Sequence, residues 1–317
     1  MLSSSANRRG RTVLATVALA VVAAVTVACG SSDSTGTATT ENRATTTVPT
    51  GPTANYVSIG DSYAQGFQPA VDGKHPPYTD GYAYLLPKLA KAKGYDLTLV
   101  NFGCGGATVE SLATSDGCGV DARSPGGPRY QDESQLQAAI DYLKSHRGEV
   151  ELVTISIGGN DVTSCASGVP DPIKCVGDAV RRIDEKLGPI LKQVREAAGP
   201  DATIVGLTYP DVILGAYLKE STRELAKLSV VAFEQFINPM LKKSYEAVGG
   251  IFVDVTKGTD AYVPLEETTD LASHGTVPVA VARVCELTWF CDRTDIHPKS
   301  NGYERIAKLI VDSLPER

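Results

Sequence analysis

The sequence predicts an α/β fold in which a parallel sheet is covered by helices on both faces. Short apolar runs alternate along the chain with segments of helical periodicity, and the runs are rich in Val and Ile with little polar alternation. Strands buried on both faces have this composition, and alternation of strands with helices is typical of a parallel sheet. In such sheets, ligands bind at the carboxyl ends of the strands.

The predicted elements begin near residue 56 and continue to the C-terminus. Strands are predicted at 56–60, 97–102, 151–157, 203–208 and 250–255, and helices at 82–93, 134–147, 176–198 and 221–248. A last helix follows His297-Pro298, with Ser300 or Asn301 as the expected N-cap, because apolar residues recur beyond it at helical spacing. Residues 257–295 are rich in loops and fit neither pattern.

The N-terminal segment, residues 1–29, has the composition of an export signal. Three arginines precede an uncharged apolar run at 12–28, and small residues lead up to Cys29. The position of Cys29 predicts a lipoprotein signal, in which this cysteine is lipidated and holds the protein on the outer face of the membrane. An ordinary cleaved signal, which would release a secreted protein, and an uncleaved anchor are the alternatives.

Residues 30–54 are rich in Ser and Thr and contain Val48 as their one large apolar residue. Such a segment cannot bury enough surface to fold, and we expect a disordered tether. Residues 55–317 then form one domain of about 260 residues, which is long enough for a full core. The chain carries a net charge of −7, and this acidity argues against nucleic acid as a partner. We expect a monomer.

The seven cysteines also favour export. Apart from Cys29, they fall into three couples that are close in sequence, and an even number of cysteines in an exported protein indicates disulfides. We predict the pairs Cys104–Cys118, Cys165–Cys175 and Cys285–Cys291 among fifteen possible pairings, with free buried thiols as the alternative. No two cysteines have the CxxC spacing of a zinc site, and no metal is expected.

Three predicted strands end in unusual polar turns. Gly60-Asp61-Ser62 follows the first strand, "NFGCGGAT" (101–108) ends the second, and "IGGND" (157–161) ends the third. Because carboxyl ends of parallel strands meet at one edge of a sheet, we expect these turns to lie together. His297, which stands just before the last helix, is the one histidine with an acid close by in such a position.

These residue types suit attack on an ester. A serine hydroxyl becomes a nucleophile when a base, usually His, removes its proton. The charge that develops on the carbonyl oxygen then requires hydrogen-bond donors placed in advance. The backbone N–H of Ser62, a glycine N–H in the second turn and the amide of Asn160 could supply them.

Each turn alone is weak support, and only their joint occurrence at strand ends is specific. "GCGGAT" also mimics a dinucleotide-binding fingerprint, but Thr108 stands at the third glycine position and no acidic residue follows at the expected distance. The G-x-S-x-G nucleophile elbow is absent around Ser62, and the candidate serine follows the first strand. Both facts argue against the α/β-hydrolase fold.

The joint pattern resembles the SGNH (GDSL) hydrolase superfamily, with four matching blocks spread over most of the folded part. The resemblance implies Ser62 as the nucleophile, His297 as the base, and Ser62, Gly106 and Asn160 as the oxyanion hole. It also implies a flavodoxin-like three-layer α/β/α sandwich with strand order 2-1-3-4-5. The local cysteine couples resemble the secreted actinobacterial esterase/lipase branch, which has three disulfides.

The acid of the catalytic centre departs from the family pattern. The family's acid usually lies three residues before the histidine, where this chain has Thr294. Asp295, two residues before His297, and Asp292, five before it, are the candidates, and we take Asp295 as the catalytic acid. A backbone carbonyl that orients the ring is the remaining alternative.

The sequence therefore predicts an exported serine ester hydrolase, an esterase or lipase that cleaves acyl esters or lipids through an acyl-enzyme without a cofactor. One alternative keeps the fold and changes the substrate: an O-acetylesterase or acyltransferase on cell-envelope glycans. The other is a non-catalytic surface lipoprotein that binds a ligand.

Overall fold

Five parallel strands form the central sheet of the computed structural model, which describes residues 53–165 and 170–317. The strands are β1 (Ala54–Gly60), β2 (Leu97–Asn101), β3 (Val150–Ser156), β4 (Thr203–Leu207) and β5 (Ile251–Val253). Their order is β2-β1-β3-β4-β5, which confirms the expected topology. The predicted signal segment, Cys29 and nearly all of the predicted tether lie outside the described residues.

Within the described ranges, the α-helices are α1 (Ser62–Gln65), α2 (Tyr82–Leu89), α3 (Val109–Thr114), α4 (Gln135–Ser145), α5 (Gly159–Thr163), α6 (Pro172–Ala198), α7 (Arg223–Ala232), α8 (Asn238–Glu246), α9 (Val255–Gly258), α10 (Val279–Leu287), α11 (Phe290–Arg293) and α12 (Ser300–Ser313). None of the helices in these ranges combines the length and apolar composition needed to cross a bilayer.

Helices cover both faces of the sheet, and the fold is the expected three-layer α/β/α sandwich. On one face, Val57 and Ile155 belong to a buried cluster that includes residues of α3, α4, α6 and α8. On the other face, Tyr56 and Leu152 pack with residues of α1, α2 and α12. Successive residues of a strand point to opposite faces, so burial on both sides explains why the strand sequences show little polar alternation.

The predicted helix at 221–248 is interrupted. It consists of α7, a π-helical turn at Phe233–Ile237, and α8. The predicted helix at 176–198 begins earlier, at Pro172, because the Asp171 side chain caps it by accepting a hydrogen bond from the backbone N–H of Lys174 (2.9 Å). Proline is well tolerated at the first helical position, because a backbone N–H at this position would have no acceptor within the helix.

Two expectations about the C-terminal part are corrected by the structure. The segment 257–295 contains an antiparallel hairpin, β6 (Thr268–Leu271) and β7 (Gly275–Pro278), followed by α10 and α11. Neither Ser300 nor Asn301 caps the last helix, because the N-cap position is occupied by Lys299. The hydroxyl of Ser300 instead donates a hydrogen bond to the carboxylate of Asp80 (2.7 Å).

Gly206 on β4 is a position where we expect a small substitution to destabilise the fold. A Cβ atom there would lie 2.3 Å from ring atoms of the buried Tyr245. Gly206→Ala should therefore lower the free energy of unfolding by about 1–3 kcal/mol, measured by urea denaturation.

Gly177→Ala on α6 is the matched control, since nothing lies within 4 Å of the added Cβ atom there. It should raise the free energy of unfolding by about 0.5–1 kcal/mol, because alanine favours a helix over glycine. Equal unfolding midpoints for the two variants would contradict the packing described for Gly206.

Candidate active site

The carboxyl ends of β1, β2 and β3 bring the three polar turns to one edge of the sheet. Gly60 ends β1 with a φ of 154°, and a Cβ atom there would lie 2.2 Å from the carbonyl oxygen of Ser156, the last residue of β3. Only glycine permits this approach. The turn that carries Ser62 therefore lies directly beside the turn that carries Asn160.

Ser62 is the first residue of α1 and is 7% exposed. Asp61 caps this short helix, because its Oδ1 accepts a hydrogen bond from the backbone N–H of Tyr63 (2.9 Å). The N–H of Ser62 has no intrahelical acceptor, since it stands in the first turn of the helix. This N–H is therefore available to donate a hydrogen bond to an oxygen of a substrate.

His297 joins Ser62 to Asp295. Its Nε2 lies 2.8 Å from the hydroxyl oxygen of Ser62, and its Nδ1 lies 2.8 Å from Oδ1 of Asp295. A carboxylate can only accept, so Nδ1 carries the proton and Nε2 accepts the hydrogen bond from the serine hydroxyl. This is the tautomer that a general base next to a serine requires.

The carboxylate next to His297 belongs to Asp295, and Asp292 is directed elsewhere. Oδ2 of Asp292 lies 2.8 Å from the ammonium group of Lys299. Partial burial would raise the pKa of the Asp295 carboxyl, but hydrogen bonds from the ring and the backbone N–H of His297 outweigh it and lower this pKa below its ordinary value. Asp295 is therefore ionised under ordinary conditions.

The candidate oxyanion residues lie on two segments that are bonded to each other. Gly106 has a φ of 81°, and no atom would lie within 4 Å of a Cβ atom at this position. The side-chain amide of Asn160 donates one hydrogen bond to the carbonyl of Ala107 (2.9 Å), and Asp161 accepts another from the N–H of Val109 (3.0 Å). An amide nitrogen has two hydrogens, so Asn160 keeps a second donor.

The buried Asp61 and the partly buried Tyr209 form a pair that the sequence patterns did not reveal. The hydroxyl of Tyr209 donates to Oδ2 of Asp61 (2.7 Å), and a Cβ atom on Gly159 would lie 2.9 Å from the Tyr209 ring. Tyr209 thus touches both the turn of Ser62 and the turn of Asn160. It follows the end of β4, and the rule applied to the first three strand ends would have found it.

Burial dominates the chemistry of the Asp61 carboxyl. Desolvation raises its pKa to about 6, although the hydrogen bonds from Tyr209 and Tyr63 and the nearby His297 lower it. A native pKa above the unfolded value makes the contribution of Asp61 to stability largest in acid. This contribution is lost as the pH rises through about 6.

Aromatic and polar side chains line one side of His297. The ring centroid of Phe67 lies 4.6 Å from that of His297 in an edge-to-face arrangement, and His75 lies beyond it at 5.7 Å from Phe67. The indole N–H of Trp289 donates to the side-chain oxygen of Gln68 (3.3 Å). Phe67 thus provides the aromatic contact to the ring of the base, and polar side chains lie around it.

Three disulfides flank the candidate residues. Cys104–Cys118 closes the loop that contains Gly106, Cys165–Cys175 follows the helix that carries Asn160, and Cys285–Cys291 precedes Asp295 and His297. These are the pairings that sequence proximity predicted. Residues 53–165 and 170–317 contain no cluster of three or more His, Cys, Asp or Glu that could hold a metal ion.

The sandwich and the Ser-His-Asp series at its carboxyl edge define an α/β/α protein with the side chains of an ester hydrolase. The sequence matches the GDSL-like lipase/acylhydrolase family over residues 58–305, which is most of the chain. The protein belongs to this family, and it is accordingly a hydrolase that acts on esters. Among proteins with curated descriptions, none matches the sequence significantly.

Several solved structures are similar to this chain. The extracellular lipase of Streptomyces rimosus is 22% identical, with a TM-score of 0.50, and the match covers 82% of this chain and all of that one. Phospholipase A1 of Streptomyces albidoflavus is 17% identical (TM-score 0.46, 83% of this chain and 100% of that one). The carbohydrate acetylesterase Est24 of Sinorhizobium meliloti is 15% identical (TM-score 0.45, 82% and 97%).

Removal of the Tyr209 hydroxyl should destabilise the protein more at pH 8 than at pH 5. At pH 8 Asp61 is ionised, and loss of a donor to a buried carboxylate costs about 1.5–3 kcal/mol, whereas the protonated acid present at pH 5 loses a neutral bond of about 0.5–1.5 kcal/mol. The measurement is urea denaturation of Tyr209→Phe at both pH values.

Tyr130→Phe serves as the control for this pH dependence. The hydroxyl of Tyr130 is buried and donates to the backbone carbonyl of Phe102 (3.1 Å), which does not titrate. Its loss should cost the same at both pH values. A Tyr209→Phe variant with the same pH-independent behaviour would rule out the ionised Asp61 as the partner that matters.

Proposed function

We propose that the protein is an exported carboxylic ester hydrolase that uses Ser62 as nucleophile, His297 as general base and Asp295 as the acid that orients His297. The observation that carries this proposal is the pair of 2.8 Å contacts from the two ring nitrogens of His297, one to Ser62 and one to Asp295. Family membership supports the reaction class, and this geometry supports the proposed roles of the three residues.

In the first half-reaction, Ser62 Oγ attacks the acyl carbonyl carbon while its proton moves to Nε2 of His297. The N–H groups of Ser62 and Gly106 and the free amide hydrogen of Asn160 stabilise the negative charge on the carbonyl oxygen. The ester C–O bond then breaks, the acyl group stays on Ser62, and His297 protonates the leaving alkoxide.

In the second half-reaction, water attacks the acyl-enzyme and His297 accepts its proton. The bond between the acyl carbon and Ser62 breaks, and the same proton returns to Ser62 Oγ as the carboxylic acid leaves. Asp295 holds the ring tautomer through both steps and stabilises the imidazolium that forms in each of them.

Export is part of the proposal, because disulfides persist in oxidising compartments and three of them lie in the described part of the chain. Lipidation of Cys29 would keep the protein at the outer face of the membrane, and cleavage without lipidation would release it. Palmitate labelling of the wild-type chain and of Cys29→Ser in the producing cell separates these two routes.

Ser62→Ala should abolish ester hydrolysis without unfolding the protein. We expect the rate on p-nitrophenyl esters, from acetate to palmitate, to fall more than about 1,000-fold, because no other group can form the acyl-enzyme. If the protein is a lipase, it should prefer esters with medium or long acyl chains. Activity on acetate alone would favour the O-acetylesterase alternative.

Ser145→Ala is a matched control. The Ser145 hydroxyl also lies 3.0 Å from a histidine ring, that of His146, but at the end of α4 near the opposite edge of the sheet. This variant should keep the full rate. Wild-type turnover by Ser62→Ala would contradict the proposal, and a folded, oxidised wild-type protein inactive on every ester would favour a binding function.

Asp295→Asn and Asp292→Asn test the assignment of the acid. We expect Asp295→Asn to lower kcat by about 100- to 10,000-fold, because an amide no longer fixes the tautomer or stabilises the imidazolium. Asp292 pairs with Lys299 in a half-exposed ion pair, so Asp292→Asn should change kcat by less than about threefold. Similar losses in both variants would contradict the role of Asp295.

A further inference from the structure

Helix α7 and the π-helical turn after it, which lie between β4 and β5, expose a run of apolar side chains. Leu225, Leu228 and Val231 on α7 are 45%, 52% and 41% exposed, and Phe236 in the π-helical turn is 61% exposed. We call these four residues the apolar stripe. Single exposed apolar residues are ordinary, whereas a contiguous group on one element marks an interaction surface.

The helical spacing of α7 and the π-helical turn that follows it bring the residues of the stripe near each other. Residues three apart in an α-helix are neighbours on its surface, which aligns Leu225, Leu228 and Val231. The π-helical turn bonds the N–H of Asn238 to the carbonyl of Phe233, five residues earlier. Phe236, the most exposed of the four residues, lies within this turn, so the π-helical turn continues the run of exposed apolar side chains beyond the end of α7.

Two residues of α7 outside the stripe fix the helix to the protein. Ala226 is fully buried, and Ser229 donates a hydrogen bond to the buried carboxylate of Asp211 (2.8 Å). Asp211 follows Tyr209 at the end of β4, and Tyr209 donates to Asp61 next to Ser62. The stripe therefore lies on the connection between β4 and β5, at the same edge of the sheet as the candidate active site.

Area and charge indicate which kind of partner fits the stripe. Four partly exposed side chains present a few hundred Å² of apolar surface, whereas a stable protein dimer buries about 800 Å² on each partner. Six charged residues flank the stripe, and their signs cancel: Lys219, Arg223, Lys227, Glu220, Glu224 and Glu234. A small apolar surface with balanced charge suits shallow insertion into an electrically neutral lipid surface.

We propose that the apolar stripe docks the protein onto the surface of a bilayer of zwitterionic lipids, with the active-site edge of the sheet towards the acyl esters. This inference rests on the proposed function for its biological purpose, since the bilayer would supply the ester. Its physical content, insertion of Leu228 and Phe236 among acyl chains, does not depend on catalysis.

The test places a tryptophan in the stripe of the full-length chain. Phe236→Trp is mixed with phosphatidylcholine vesicles whose acyl chains are brominated or unbrominated, and bromine quenches an indole that enters the acyl region. The fluorescence of the single native tryptophan, Trp289, is measured in the wild-type protein and subtracted. We expect bromination to lower the added fluorescence about twofold. Leu228→Trp is a second variant, should Phe236→Trp fail to fold.

Lys144→Trp is the matched control, because Lys144 is exposed in the last turn of α4, near the edge of the sheet opposite the candidate active site. It should show no added quenching. Equal quenching at residues 144 and 236 would mean unspecific adhesion and would overturn the inference. A change of emission with protein concentration in the absence of vesicles would identify a second copy as the occupant, and would overturn it too.

Failure of the docking and failure of the proposed function are distinguishable. No quenching at residue 236 or 228 in a protein that hydrolyses soluble p-nitrophenyl esters through Ser62 would overturn the docking alone. Quenching confined to the stripe in a protein without Ser62-dependent hydrolysis would support the docking and contradict the catalytic proposal.

Discussion

The close approach of β1 to β3 at their carboxyl ends is the constraint on which the candidate site depends. Gly60 has no room for a side chain against the carbonyl of Ser156, and the turns that follow the two strands are held side by side as a result. Asp61 and Tyr209 extend this contact to β4 through a partly buried hydrogen bond of 2.7 Å. The ends of three strands are thereby held in fixed positions relative to each other. The sheet thus determines where the turns lie, and the turns position the side chains of the candidate site.

The sheet could be predicted because burial on both faces leaves a strong local signal. Each strand is a short run of apolar residues, and parallel pairing follows from the helices between them. The strand order came from resemblance to a family, since no local pattern encodes which strands are neighbours. The hairpin at 268–278 was not predicted because its strands have only four residues each and are mostly exposed, which leaves no apolar run to recognise. The π-helical turn at Phe233–Ile237 adds one residue to a turn without changing the apolar spacing enough to be noticed.

The acid of the candidate site shows where sequence reasoning ends. Ser62 and His297 stand out because each follows or precedes a well-defined element, but Asp292 and Asp295 lie in the same short loop. Their difference is conformational: Thr294 adopts a left-handed backbone with a φ of 55°, which ends α11 and separates the two carboxylates. Asp295 then turns back to His297, while Asp292 remains on the helix beside Lys299. A β-branched residue rarely adopts this conformation, and sequence patterns therefore give no warning of it.

The distribution of disulfides follows from the same architecture. The connections that leave the carboxyl ends of β2 and β3 carry the candidate oxyanion residues, and ordering them costs conformational entropy. Each disulfide closes a short loop on such a connection or on the segment before His297, with sequence separations of 14, 10 and 6 residues. In the loop-entropy description, bridges of this length stabilise by roughly 2–3 kcal/mol each. They act where candidate oxyanion donors and the base must be held, and none bridges the sheet core. Cys285 belongs to a buried cluster with Leu214 and Val281, and Cys291 packs against it, so covalent and hydrophobic contacts act together on the segment before His297.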